Sequence, residues 1–201
     1  MLLDVSQPVT PRTAAWPGDE PFSCGWSVET PQLRVGWARQ SAHVGTHVDA
    51  PYHFLQDGAR VGALPLDAFV GPALVVDARG RDALDASLLR GLDLARAPRV
   101  LFRTRDRADP EVFEKRYPVL APDAIDALAA ARVRLVGIDQ ASYDPWDAKD
   151  LVVHHALARA GIVNVENLRL DGVQPGGYEL LAAPVNWADL DAAPLRALLR
   201  R

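Results

Sequence analysis

A chain of 201 residues and 21.8 kDa, 49% of it hydrophobic, is long enough for a real core, and residues 1–201 are expected to form a single domain. A net charge of −4 and a pI near 5.7 argue against a nucleic-acid surface. No apolar run reaches the length needed to span a bilayer, so no membrane partner is expected either.

Leu2 to Val5 reads as a short strand, and Pro8 to Pro21, rich in Pro, Gly, Thr and Asp, as a loop. The N-terminus lacks a basic region followed by a long apolar run, so it is no secretory signal and the expected compartment is the cytoplasm. Cys24 is the only cysteine, which rules out an intrachain disulfide; it reads as a partly buried, unreactive thiol. Gln32 to Gln40 reads as a strand leading into the segment 41–54.

That segment, Ser41-Ala-His-Val-Gly-Thr-His-Val-Asp-Ala-Pro-Tyr-His-Phe54, holds three of the five histidines. At period two, His43, Gly45, His47, Asp49, Pro51 and His53 share one side of an extended chain. Imidazole and carboxylate without thiolate suit zinc, manganese or iron. A helix would also align His43 with His47, but Gly45, Thr46 and the valines are weak helix formers and Pro51 would break it. A straight strand puts α-carbons four residues apart roughly 13 Å from each other. That span is too long for two imidazoles on one metal, so the chain is expected to bend near Gly45. The bland alternative is a buried strand whose histidines bond to backbone.

Downstream, 73–77, 99–103 and 134–139 are apolar runs that read as buried strands, with a brief helix over 87–94. Pro122 and Asp123 open a helix through Ala131. Residues 148–160 read as a helix capped by Gly161, 162–170 alternates like a strand, and 178–184 reads as another. Interleaved strands and helices suggest an α/β or α+β fold with a mixed sheet.

The segment 43–53 resembles the His-x-Gly-Thr-His-x-Asp-x-Pro-x-His signature of the cyclase-like metal-dependent hydrolases, and most of all their bacterial kynurenine formamidase (arylformamidase) branch. Further stretches resemble that branch in order: Asp4 to Pro8, Trp16 to Phe22, Arg99 to Thr104, Val133 to Asp139, then Asp144, Pro145, Lys149 and His154, and finally Tyr178 to Pro184. The resemblance departs at Thr46, at Asp147-Ala-Lys149 and at Asn167, where the branch has Ala, a Ser-Lys pair and Gly. It implies a swivelling β/β/α-type fold, a homodimer, and hydrolysis of N-formyl-L-kynurenine to L-kynurenine and formate in tryptophan breakdown.

His43, His47 and Asp49 are the metal ligands the signature itself supplies. His154 and His155 point about 100° apart on a helix, so at most one can join them, and pattern alone does not choose. The resemblance chooses His154, and adds Glu166. Charge counting favours two divalent ions. Asp49, Glu166 and one hydroxide leave about one positive charge, and Asp49 is the preferred bridge. Zinc is the first expectation, with manganese, iron or cobalt as alternatives. The resemblance implies that His53 is the catalytic acid/base rather than a group that only orients a ligand, and that Trp16 contacts an aromatic substrate. Phe22 and Tyr52 are weaker candidates for the pocket wall. Two rival readings stay open: a hydrolase that opens a cyclic amide such as isatin, and a non-catalytic metal-binding domain.

Overall fold

The computed structural model describes residues 1–201. Four parallel strands form the middle of its main sheet: β5 (Val70–Asp77), β7 (Arg99–Arg103), β9 (Leu135–Ile138) and β10 (Val163–Glu166). Beside β5 the sheet continues antiparallel through β11 (Gly176–Leu181), β13 (Leu198–Arg200) and β1 (Leu2–Asp4). Beside β10 it continues antiparallel through β4 (His47–Asp49) and β12 (Ala192–Pro194). The result is a nine-stranded mixed sheet in the order β1-β13-β11-β5-β7-β9-β10-β4-β12. Two smaller pairs stand apart, β2 (Ser23–Glu29) with β3 (Arg34–Arg39) and β6 (Ala83–Leu84) with β8 (Val119–Leu120).

The central strands are apolar on both sides because both of their faces are covered. Successive residues go to opposite cores. Leu101, Leu135 and Val165 enter one, with Phe69 and Leu180. Val100, Phe102, Val136 and Ile138 enter the other, under α1 (Pro122–Ala130) and α2 (Val152–Arg159). The helices close that face with Ile125, Leu128 and Leu157. Each such buried Leu or Phe is worth about 1.5–3 kcal/mol relative to exposure. No helix is long and apolar enough to cross a membrane.

Several elements differ from the sequence expectation. The signature is not one long strand: only His47–Asp49 pairs in the sheet, and Pro51–His53 forms a 3-10 turn. The expected bend is present, with Gly45 at φ 73°. A Cβ there would lie 2.5 Å from Val9 Cγ2, so conformation and space both demand glycine. The helix expected over 148–160 begins only at Val152, after Leu151 at φ 42°. The helix expected over 87–94 shrinks to a 3-10 turn at Ala86–Leu89, and Gly91 at φ 76° follows it. The strand expected over 162–170 stops at Glu166, where Asn167 turns the chain at φ 55°. Asn is among the few residues that adopt this conformation readily. Cys24 is exposed rather than partly buried.

Candidate metal centre

The site is built on β4 and its two neighbours. In the β10–β4 register Glu166 lies opposite His47, and Asn164 opposite Asp49. Paired residues share a face of the sheet, so these four side chains emerge together, while Val48 and Val165 between them fill the apolar core. Asn164 Nδ2 donates to Asp49 Oδ2 over 2.8 Å and fixes the carboxylate.

His43 reaches the cluster from the turn that Gly45 permits. His154 arrives from the first turn of α2, across the sheet from the signature. Asp144 sets its position: its Oδ1 accepts from the Val153 backbone N–H (2.9 Å) and its Oδ2 from that of His154 (3.1 Å). The same Oδ2 lies 2.6 Å from His154 Nδ1. One carboxylate thus caps a helix and orients an imidazole.

The outward nitrogen of each of these histidines is held by an oxygen acceptor. His47 Nδ1 faces the Gly45 carbonyl at 2.9 Å, His154 Nδ1 faces Asp144, and His43 Nε2 faces Asp191 Oδ2 at 3.1 Å. Carbonyl and carboxylate oxygens only accept, so these contacts keep the proton outward and turn a lone pair inward. The inward atoms then crowd together. His43 Nδ1 and His47 Nε2 lie 3.3 Å apart, and 3.0 and 3.2 Å from Asp49 Oδ1. His154 Nε2 lies 3.1 Å from Glu166 Oε1 and 3.4 Å from Asp49 Oδ2. Asp49 Oδ1 is buried without a hydrogen bond, although two imidazoles stand beside it: neither presents the angle that one requires.

Facing lone pairs around a buried carboxylate repel one another unless a cation draws them in. Two groups of donors each lie within 4.8 Å: His43, His47 and Asp49, and Asp49, His154 and Glu166. Asp49 belongs to both. The donor set therefore fits metal, and the oxygen-held outer nitrogens are the usual support of metal-bound histidines.

Electrostatics point the same way. Burial and the neighbouring Asp49 charge push the Glu166 carboxyl up. Burial opposes ionisation of Asp49 too, but His47, His154 and His43 hold it well below the usual carboxylate range. Burial works against a charge on His43, yet the hydrogen bond to Asp191 and the close Asp49 carboxylate prevail and raise it to about 10. The pocket demands positive charge at its centre.

The cluster forms the floor of a cavity of about 480 Å³. His53 lines it, its ring 4.3 Å from that of His43 and its Nδ1 3.1 Å from Asp191 Oδ2. Trp16 lines it as well, edge-on to Phe113 with ring centroids 5.1 Å apart. Tyr52 and Phe22 are not on the cavity wall; Tyr52 instead lies beneath Arg60. His155 packs against Phe54 and stays out of the cluster. Sequence reading missed Asp191, which precedes β12 and bridges His43 and His53, and Phe113. No spacing signal marks either, since both come from loops distant from the signature.

The chain matches known proteins over nearly its whole length. The family model described as "Putative cyclase" covers residues 3–145. A kynurenine formamidase of Salinibacter ruber is 45% identical over 99% of this chain and 97% of its own, and one of Bacillus cereus is 40% identical over 98% and 96%. Among solved structures, a potential metal-dependent hydrolase with cyclase activity superposes with a TM-score of 0.87 at 29% identity, covering 99% of this chain and 96% of its own. An isatin hydrolase bound to thioisatinate superposes at 0.80 with 23% identity over 98% and 91%, a likeness of fold alone. The chain belongs to the cyclase family.

Proposed function

We propose that this protein, acting as one unit over residues 1–201, hydrolyses N-formyl-L-kynurenine to L-kynurenine and formate. The convergence of His43, His47, Asp49, His154 and Glu166 beneath an aromatic-walled cavity carries this reading, and the 45% identical formamidase supports it. Two divalent cations, zinc first, would be held by these residues with Asp49 shared, and would supply Lewis-acid polarisation and a water activated near neutral pH.

The chain's own groups do the rest. Asp191 holds His53 Nδ1, which leaves Nε2 for proton transfer within the cavity. The oxygen of a water attacks the formyl carbon as His53 takes a proton from it; the carbon–nitrogen bond then breaks, and His53 returns that proton to the departing arylamine as formate forms. A formyl carbon bears only hydrogen, so the site needs no room for a large acyl group. Selectivity then falls to the aryl side, where Trp16 offers a ring face.

A cyclic amide such as isatin is the second reading, motivated by the shared fold with isatin hydrolases. Metal-replete protein offered both compounds separately distinguishes them: turnover of the formamide alone supports the first reading, and turnover of isatin alone replaces it. The expected partner is a second copy of this chain. Val28, Val35 and Trp37 are exposed on one face of the β2–β3 hairpin, an apolar surface suited to a homodimer contact, and Trp26 is exposed on the other face. The expected compartment is the cytoplasm.

A further inference from the structure

The chemistry above makes no use of Arg105, although this residue has an unusual position. It follows β7 at the carboxyl end of the parallel strands, the edge where open α/β sheets bind ligands. A buried network fixes its base. The Asp139 carboxylate accepts from the Thr104 N–H (3.0 Å), the Thr104 hydroxyl (2.6 Å) and the Arg105 N–H (3.4 Å). Gln140 ties into the same network by donating to the Thr104 hydroxyl.

From this base the Arg105 side chain runs into the cavity wall, with only 13% of its surface exposed. Its Nε is buried and has no hydrogen-bond partner. Its one ion-pair partner is Glu114, which also lines the cavity, 3.4 Å from a terminal nitrogen. A guanidinium has five donors, and the buried one on Nε is unspent. Leaving such a group half-satisfied is costly unless something else completes it.

The position relative to the aromatic wall is informative. Phe113, which meets Trp16, is the chain neighbour of Glu114. Trp16, Phe113, Arg105 and Glu114 all line the one cavity, so a single occupant can reach both the aromatic wall and the Arg105–Glu114 pair.

We infer that Arg105 and Glu114 form a subsite for a zwitterionic α-amino-acid head group, so that the preferred substrate class is an aryl formamide carrying such a head. This rests on the formamidase reading of the same cavity. Arg105 donates to the carboxylate in the paired geometry a guanidinium favours, and Glu114 accepts from the ammonium. The two groups are specificity residues: they touch the substrate away from the bond that breaks.

The test compares N-formyl-L-kynurenine with 2′-formamidoacetophenone, which keeps the formamide, the ring and the ketone but lacks the amino-acid head. Wild-type protein is expected to favour the first in kcat/KM. Arg105→Gln should raise KM for N-formyl-L-kynurenine about ten- to a hundredfold, the range for a charge-assisted hydrogen bond, with a much smaller change in kcat. The preference between the two compounds should collapse accordingly, and Arg105→Lys should recover part of it. Turnover of the headless compound reports that the variant is folded. Equal losses on both compounds in Arg105→Gln, or a wild-type protein that does not discriminate, would overturn the inference alone. Wild-type protein that turned over neither would overturn the formamidase reading and the inference with it.

Discussion

Asp144 Oδ2 lies 2.6 Å from His154 Nδ1 while the same carboxylate receives two backbone N–H groups of α2. Helix start and candidate ligand are thereby one feature. Asp144→Ala should lower stability by about 0.5–2 kcal/mol, the usual cost of a lost cap. It should also weaken metal binding about 10–100-fold, the usual cost of losing a group that orients a metal-bound histidine. Thermal melts and competition with a chelator separate the two effects. Unchanged metal affinity would mean that His154 is oriented by something other than Asp144.

His53 is treated differently by the structure from the histidines beside it. It stands at the cavity rim with one nitrogen on Asp191, whereas His43 and His47 crowd Asp49. His53→Ala should therefore cost about 10²- to 10⁴-fold in turnover with the metal content retained. Loss of metal in proportion to activity would reassign His53 as a ligand.

Trp16 faces the cavity from a loop whose indole rests on Phe113. Trp16→Ala should raise KM for N-formyl-L-kynurenine well above its effect on kcat, and leave the metal in place. A fall in kcat with unchanged KM would remove Trp16 from the binding wall.

The hairpin makes a prediction about assembly. Trp37, 47% exposed on β3, shares a face of the hairpin with the exposed Val35 and Val28. Trp37→Glu should convert a dimer into a monomer in light scattering at micromolar concentration. A wild-type chain that is already monomeric there would count against the homodimer.

The parts of this molecule that were legible in the sequence are those governed by local rules. The central strands announce themselves as apolar runs, and Pro122 and Asp123 mark α1. The bend at Gly45 follows from the reach of two imidazoles. Period-two reading placed His47 and Asp49 on one face correctly, because β4 is a strand there; it said nothing valid about His43 and His53, which lie outside β4. The start of α2 was misplaced because its cap, Asp144, lies eight residues before the first helical residue and acts through space. β2 was overlooked even though Trp26 and Val28 alternate with Ser27 and Glu29. The three-residue strands β12 and β13 carry too little sequence to show a period, and Asp191, placed by β12, was invisible with them.

The central claim is that five side chains brought together by β4, β10, α2 and the Gly45 bend hold metal for hydrolysis of a formamide. Its most direct test is the rate of kynurenine formation from N-formyl-L-kynurenine as metal-stripped protein is titrated with zinc. The account predicts negligible turnover at the start and a rise that saturates near two equivalents per chain. Full activity in the stripped protein, or none at saturating zinc, manganese, iron or cobalt, would contradict it.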